Sequence, residues 1–286
     1  MNQNSIVLSD VISSILQAKQ AHIPETSLYR ILQHTAQLES KKMFDSLNNQ
    51  RSLGQIGTFN FPYFKMGAID SIDLFGLDEL ILFSFYWVNR KKYKKVLDIG
   101  ANIGLHTTVL SKCGYQVKSF EPDPTHFSIL LNVLAANLIK DVETHQAAVS
   151  NRSGEVEFVR VLGNTTSSHI AGCKQPYGDL ERFQVPVFDI KKLIGEVDLI
   201  KMDVEGHEAA LIEATSSEDW KSTDAVIEVG TSDNANAIFS HLEKIGVHAF
   251  SQKIGWERVK LLKDMPFSYK DGSLFISKKT FMPWSQ

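Results

Sequence analysis

The chain has 286 residues, of which 43% are hydrophobic, 22% charged and 10% aromatic, and its formal net charge is -3. This composition is typical of a globular protein with a substantial core, and it excludes a disordered or fibrous chain. The slightly negative charge offers no basic face, so we expect no nucleic-acid partner. The two cysteines, Cys113 and Cys173, are too few for a disulfide framework or a zinc site.

The start of the chain and its most apolar stretch bear on location. Residues 1–21 carry Asp10 within an apolar pattern and lack a basic leading segment, so they are unlike a signal peptide. Residues 72–88 are the most apolar stretch, but they contain three acidic side chains, which favours a buried helix over a membrane span. We therefore expect a cytoplasmic protein without a membrane span.

Residues 1–90 are predicted to form a mainly helical N-terminal extension. Apolar residues follow helical spacing from Leu8 to Ile15 and again from Leu28 to Leu32. The aromatic run 59–64 is predicted to be a short strand or a loop, and residues 72–88 a helix. This extension is expected to act either as a lid over a site in the following domain or as core packing against it.

Residues 91–286 show alternating strand and helix patterns, which predict a parallel sheet covered on both faces. Residues 154–161 are expected to form a hairpin inserted at the sheet edge, and 247–252 with 272–278 a closing antiparallel hairpin. The predicted fold class is α/β, with a doubly wound, Rossmann-like sheet of seven mostly parallel strands. The other strands are predicted at 96–100, 116–120, 142–149, 183–190, 197–204 and 224–229.

The segment from Asp98 to Gly104 is the most informative part of the chain. It follows a predicted strand and precedes a helix, so it presents backbone N–H groups at the carboxyl edge of the sheet. Its pattern is G-x-N-x-G, with Asn102 in the middle, whereas a dinucleotide-binding fingerprint needs G-x-G-x-x-G. Glu121 ends the next strand, where a carboxylate can accept hydrogen bonds from both hydroxyls of a ribose.

Three motifs, D-I-G-A-N-I-G-L-H-T, F-E-P-D-P and I-K-M-D-V-E-G-H-E, occur in this order within residues 97–229. In wording and order they resemble the FkbM-like methyltransferases. The resemblance implies a class I methyltransferase fold and S-adenosylmethionine as cofactor. It also implies a cofactor site with Asp98, Gly100, Asn102 and Gly104 at the methionine end, Glu121 at the ribose, Pro122 and Asp123 at the rim, and Ala147 and Ala148 near the adenine.

Asp203 ends the predicted central strand and is expected to point into the crevice close to the transferable methyl group. Asp203 and His207 are the candidate catalytic bases, with Glu228 as a third, because a hydroxyl acceptor ionises poorly at neutral pH. Asp203 and Glu228 could instead bind a divalent cation, by analogy of fold alone. In a plainer interpretation, Asp203 only contacts the cofactor. His106 and the polar loop 164–169 could each belong to the site or to the solvent-exposed surface.

The expected activity is O-methylation of a hydroxyl on a sugar, a glycan or a small secondary metabolite, as the resemblance implies. Two alternatives stay open. One is a non-catalytic protein that binds S-adenosylmethionine. The other is a nicotinamide-dependent oxidoreductase, against which the G-x-N-x-G pattern argues. The sequence leaves the acceptor, the metal requirement and the oligomeric state open.

Overall fold

The computed structural model describes residues 8–45, 48–173, 175 and 177–284, so the first seven residues of the predicted extension lie outside the described ranges. The described part of residues 8–90 is mainly helical and includes a small antiparallel hairpin. Its elements are α1 (Leu8–Gln17), α2 (Ser27–Asp45), β1 (Gln50–Ser52), β2 (Thr58–Asn60) and α3 (Leu77–Asn89).

Helix α3 begins five residues later than its apolar pattern predicts. A short 3-10 turn, Asp73–Phe75, comes first, and Gly76 adopts an extended backbone as the N-cap. Gly76 separates the two elements because glycine in a helix interior is destabilising, whereas it is tolerated at the cap. Most of the α3 side chains are buried, and Asp78 and Glu79 lie in its first turn.

The remaining chain forms a large mixed sheet, a second smaller sheet and the helices that connect their strands. Its elements are β3 (Lys95–Ile99), α4 (Leu105–Lys112), β4 (Gln116–Phe120), α5 (Pro124–Ala136), β5 (Glu143–His145), β6 (Ala148–Ser150), β7 (Gly154–Val161), β8 (His169–Ile170), β9 (Leu180–Asp189), α6 (Ile190–Leu193), β10 (Leu199–Met202), α7 (Glu208–Glu213), β11 (Asp224–Ile227), α8 (Ser232–Ile245), β12 (His248–Ser251), β13 (Glu257–Arg258) and β14 (Leu274–Ser277).

The large sheet has the order β13-β12-β14-β11-β10-β3-β4-β5. The five strands from β11 to β5 are parallel, and β14, β12 and β13 are each antiparallel to their neighbour. The predicted α/β class is confirmed, but the count of seven strands is wrong by one. The additional strand, β13, has only two residues, too few to produce an alternating pattern in the sequence.

The predicted third strand, 142–149, is in fact two strands that belong to different sheets. β5 ends at His145 in the large sheet, and β6 begins at Ala148 in a four-stranded sheet of order β6-β9-β7-β8. The segment 154–161 therefore does not extend the edge of the large sheet, as predicted. It pairs with β9 over eight residues, because that later strand supplies its long antiparallel partner.

Successive residues of the central strands enter different hydrophobic clusters. Val96 packs in a cluster that includes the N-terminal helices, and Leu97 in a cluster that includes α7 and α8. The same alternation holds for Leu199 and Ile200, as expected for a sheet buried on both faces. The doubly wound arrangement thus places the N-terminal helices directly on one face. No helix in the described ranges is long and apolar enough to cross a membrane.

Candidate functional site

The loop after β3 makes a tight turn against the loop after β10. Gly100 has a positive φ of 77°, and a Cβ atom there would overlap the carbonyl oxygen of Asp203. Gly104, with φ of 87°, begins α4, and a Cβ there would lie 3.0 Å from Leu130 Cγ. Only glycine combines this backbone with such close approach. Between them Asn102 has φ of 51°, and its Oδ1 accepts a hydrogen bond of 2.8 Å from the Ile103 amide.

Glu121 lies directly against this turn. Its Oε2 accepts a hydrogen bond of 2.7 Å from the Asn102 amide, and its Oε1 accepts one of 2.8 Å from the Asp123 amide. The residue is only 6% exposed. Burial raises the pKa of Glu121 to about 8, although both backbone hydrogen bonds oppose the shift. The structure thus brings the glycine-containing turn and the carboxylate after β4 into direct contact at the carboxyl edge of the large sheet. This edge, where β3, β4, β10 and β11 end, is called the crevice below.

Asp123 fastens the second sheet to the rim of this crevice. Its carboxylate caps α5 by accepting from the Thr125 amide at 2.8 Å, and it accepts from Arg160 Nε at 2.6 Å. Burial would raise the pKa of Asp123, but the Arg160 guanidinium more than offsets this and holds it below its usual range. Pro122 lies half-buried between Glu121 and Asp123. No sequence pattern singles out Arg160, since a lone arginine in a strand is not distinctive.

Asp98 lies behind the turn, not on its open side. Its side chain is fully buried, Oδ2 accepts from the Thr107 hydroxyl at 2.6 Å, and Oδ1 lies 3.5 Å from Lys201 Nζ. Lys201 also donates to the Gly100 carbonyl at 2.9 Å. Burial would lower the pKa of Lys201, but the charges of Asp98 and other nearby carboxylates outweigh burial and raise the pKa above its usual value. The lysine therefore stays charged. Asp98 therefore supports the turn through a buried ion pair, and direct contact with a cofactor is not supported by its position.

Ala147 and Ala148, expected near an adenine, are only 2% and 4% exposed. They occupy the corner where the chain passes from one sheet to the other, and each packs into a hydrophobic cluster. Because both side chains are buried, the structure does not support their predicted contact with an adenine.

A second part of the crevice lies where β10 and β11 end. These parallel strands pair Met202 with Ile227, so Asp203 and Glu228 follow at the same edge. Burial raises the pKa of Glu228 well above its usual value, and the Asp203 charge adds to the shift. The residues that line this part are Asp78, Glu79, Leu82, His106, Lys201, Met202, Asp203, Val226, Ile227, Glu228, Tyr269, Gly272 and Ser273.

The structure does not bring His207 to that lining. His207 Nε2 is 2.8 Å from Ser150 Oγ, and Nδ1 is 3.2 Å from Cys173 Sγ, so contacts outside the crevice use both ring nitrogens. Burial lowers its pKa. Its catalytic role stays a prediction without support from its position. Within the described ranges, no group of three or more His, Cys, Asp or Glu side chains is placed to hold a metal ion, Asp203 and Glu228 included.

The polar loop 164–169 is held between α5 and the N-terminal extension. Thr165 Oγ1 is 2.9 Å from His126 Nε2, and the Thr165 amide donates to the Met66 carbonyl at 2.9 Å. His126 follows Asp123 on α5 and is buried. The loop thus forms a fixed wall beside the crevice rim and is not an ordinary solvent loop.

The sequence matches the methyltransferase FkbM domain over residues 98–252, more than half of the chain. The crevice residues of α3 and those at 269–273 lie outside the matched range. The chain belongs to the FkbM methyltransferase domain family. The resemblance carried by the three motifs is thereby confirmed.

The FkbM domain is also similar to a curated protein, Methyltransferase 1 of Beauveria bassiana (strain ARSEF 2860). The two are 27% identical over 156 residues, which are 46% of this chain and 62% of the relative. This chain therefore spans less than two thirds of the relative's length.

Solved structures similar to the FkbM domain include two methyltransferases. A SAM-dependent methyltransferase from Agrobacterium tumefaciens is 10% identical, covers 82% of this chain and 72% of its own, and has a TM-score of 0.41. An O-methyltransferase from Bacillus cereus in complex with SAH is 12% identical, covers 68% and 79% respectively, and has a TM-score of 0.38. At such TM-scores these likenesses support no argument about activity.

Proposed function

We propose that this FkbM domain transfers a methyl group from S-adenosylmethionine to a hydroxyl of a sugar, a glycan or a small secondary metabolite. The observation that carries the proposal is the contact between the Asn102 amide and the Glu121 carboxylate at 2.7 Å. This contact brings the glycine-containing turn together with the carboxylate that we propose to bind the ribose. A protein of this fold needs both groups to bind a nucleoside cofactor.

The residues present fit this cofactor. Glu121 uses one lone pair of each oxygen for a backbone amide, so the remaining lone pairs can accept from two ribose hydroxyls. Gly100, Asn102 and Gly104 would hold the methionine end, where a Cβ at Gly100 would fill the space between the two loops. Pro122 and Asp123 would shape the rim. When bound, the cofactor supplies a methyl group activated by a positively charged sulfur.

The acceptor side is proposed to be the part of the crevice around Asp203. No described residue donates a hydrogen bond to the Asp203 carboxylate, so it can accept one from an acceptor hydroxyl and orient it. The ionised carboxylate of neighbouring Glu79 repels phosphate groups, which argues against a nucleic-acid acceptor. Helix α3 contributes to this lining, so the N-terminal extension would act as the acceptor-side cap. A cytoplasmic location stays a prediction.

Two measurements test the proposal. Calorimetry should show that S-adenosylhomocysteine binds and that NAD does not; the reverse result would contradict the cofactor assignment. Mass spectrometry of p-nitrophenyl glucoside, galactoside and mannoside, each incubated with protein and S-adenosylmethionine, should reveal a gain of one methyl group. Binding of S-adenosylhomocysteine without methylation of any glycoside would contradict the sugar as acceptor while leaving the cofactor site intact.

A further inference from the structure

Helix α3 places a carboxylate in the crevice from outside the part of the chain that matches the family. The helix is apolar and largely buried, yet its first turn carries Asp78 and Glu79. Asp78 is engaged by the Tyr29 hydroxyl at 2.7 Å and by Gln252 Nε2 at 2.6 Å, so it ties the extension to the rest of the protein. Glu79 contacts His106 of α4, and its side chain is 30% exposed.

A chain of hydrogen bonds fixes the orientation of Glu79. His106 Nε2 is 2.7 Å from Glu79 Oε2, and His106 Nδ1 is 3.0 Å from the Tyr86 hydroxyl. Burial raises the pKa of Tyr86 far above its usual value, so its hydroxyl keeps its proton and can donate to Nδ1. The imidazole proton then sits on Nε2 and is donated to Glu79. Both ring nitrogens are used, whereas no described residue donates a hydrogen bond to Glu79 Oε1.

The surrounding charges keep Glu79 ionised. Burial alone would raise the pKa of Glu79, but the hydrogen bond from His106, together with the nearby charge of Lys201, more than offsets burial and lowers it. Glu79 is therefore in its basic form at neutral pH. The titratable groups that face it are Asp78 and Tyr86 on α3, His106 on α4, Lys201 and Asp203 at β10, and Glu228 at the end of β11.

We propose that Glu79 accepts the proton of the acceptor hydroxyl, with His106 and Tyr86 as positioning residues. This inference rests on the proposed function and adds the residue that completes its proton balance. The acceptor O–H bond breaks and the proton moves to Glu79 Oε1, while the acceptor oxygen forms a bond to the methyl carbon. The carbon–sulfur bond breaks with its electron pair left on sulfur, and Glu79 then releases the proton to solvent. Asp203, which follows β10, orients the acceptor hydroxyl.

The first test compares two variants of the full chain. Glu79→Gln keeps an oxygen that can accept from His106 Nε2, so the fold should be retained while the base is lost. Glu25→Gln changes an exposed glutamate of the same extension and serves as the matched control. With the p-nitrophenyl glycoside that the unmodified protein methylates as acceptor, we expect Glu79→Gln to lower turnover by about 10²- to 10⁴-fold, the usual worth of a general base. Affinity for S-adenosylhomocysteine should be unchanged in both variants.

The second test needs neither cofactor nor acceptor. Carboxyl carbon NMR should show that Glu79 titrates below the usual glutamate value in the unmodified protein and at a higher pH in His106→Gln. Imidazole nitrogen NMR should show the proton of His106 on Nε2, and Tyr86→Phe should convert this single form to a mixture. A Glu79 that is not paired with His106 in solution would show neither the depressed titration nor its dependence on His106, and only the loss of turnover in Glu79→Gln distinguishes a base from a structural partner of His106.

The outcomes separate the two levels of the proposal. Failure of the unmodified protein to bind S-adenosylhomocysteine would contradict the proposed function. Normal cofactor binding with unimpaired turnover in Glu79→Gln would overturn the role of Glu79 alone. The same role would be overturned if Glu79 titrated at its ordinary pH in both the unmodified protein and His106→Gln.

Discussion

The two parts of the crevice differ in the kind of group that builds them. The proposed cofactor part consists of backbone in unusual conformations, with one carboxylate, Glu121, held by two amides. The proposed acceptor part consists of ionisable side chains, Glu79, Asp203 and Glu228, placed around the buried cation of Lys201. Under the proposed function, the shape of the backbone selects the ligand in the first part, whereas charge and proton affinity act in the second. Substitutions in the two parts should therefore fail in different ways.

The largest effect is expected in the acceptor part. Asp203→Asn removes the charge that orients the acceptor hydroxyl but preserves the size of the side chain. We expect turnover to fall by about 10²-fold or more, with little change in the free energy of unfolding. Glu213→Gln, an exposed glutamate on the following helix, is the control. Equal losses of turnover and stability in Asp203→Asn would mean that the residue is structural.

The rim of the cofactor part should respond through stability. Arg160→Met leaves Asp123, whose side chain is only 1% exposed, without its cation, so we expect the free energy of unfolding to fall by about 3 kcal/mol. The matched control is Arg182→Met, which breaks an ion pair with Glu157 in the same sheet where both side chains are more than 40% exposed. That change should cost less than about 1 kcal/mol. Similar losses in both variants, measured by urea unfolding, would refute a special role for the Asp123–Arg160 pair.

An effect of a different kind, on the pH dependence of stability, should appear at Glu121. Its pKa of about 8 lies above the ordinary value, so the folded state binds more protons than the unfolded state between pH 4.5 and about 8. The free energy of unfolding should therefore decrease as pH rises through that window, relative to Glu121→Gln. Ribose hydroxyls favour the ionised carboxylate, so affinity for S-adenosylhomocysteine should increase over the same window. Parallel pH profiles in both proteins would show that Glu121 does not titrate there.

The closeness of the turn after β3 and Glu121 could be predicted from the sequence because its signals are local. Asn102 and Glu121 are 19 residues apart, at the ends of two consecutive strands, and each strand end is marked by its own short motif. The acceptor part depends on contacts that no short pattern encodes. Glu79 belongs to a helix whose apolar sequence predicts only burial, and its approach to His106 depends on how that helix packs on the sheet.

The sequence around Lys201 does carry a signal of its buried ion pair. A lysine between the apolar residues Ile200 and Met202 of a buried strand must find a compensating charge, and that requirement points to a nearby carboxylate. The split of residues 142–149 was harder to predict. The corner after His145 has no glycine or proline, and the partner of β6 lies in β9, more than thirty residues later.

The most direct test of the central claim is calorimetry of S-adenosylhomocysteine binding to the unmodified protein and to Glu121→Ala, with Glu155→Ala as an exposed control. The loss of hydrogen bonds from the ribose should weaken binding by about 1 to 3 kcal/mol, or roughly 5- to 150-fold, in Glu121→Ala alone. Unchanged affinity in a folded Glu121→Ala protein would contradict the claim that the turn after β3 and the carboxylate after β4 hold one nucleoside between them.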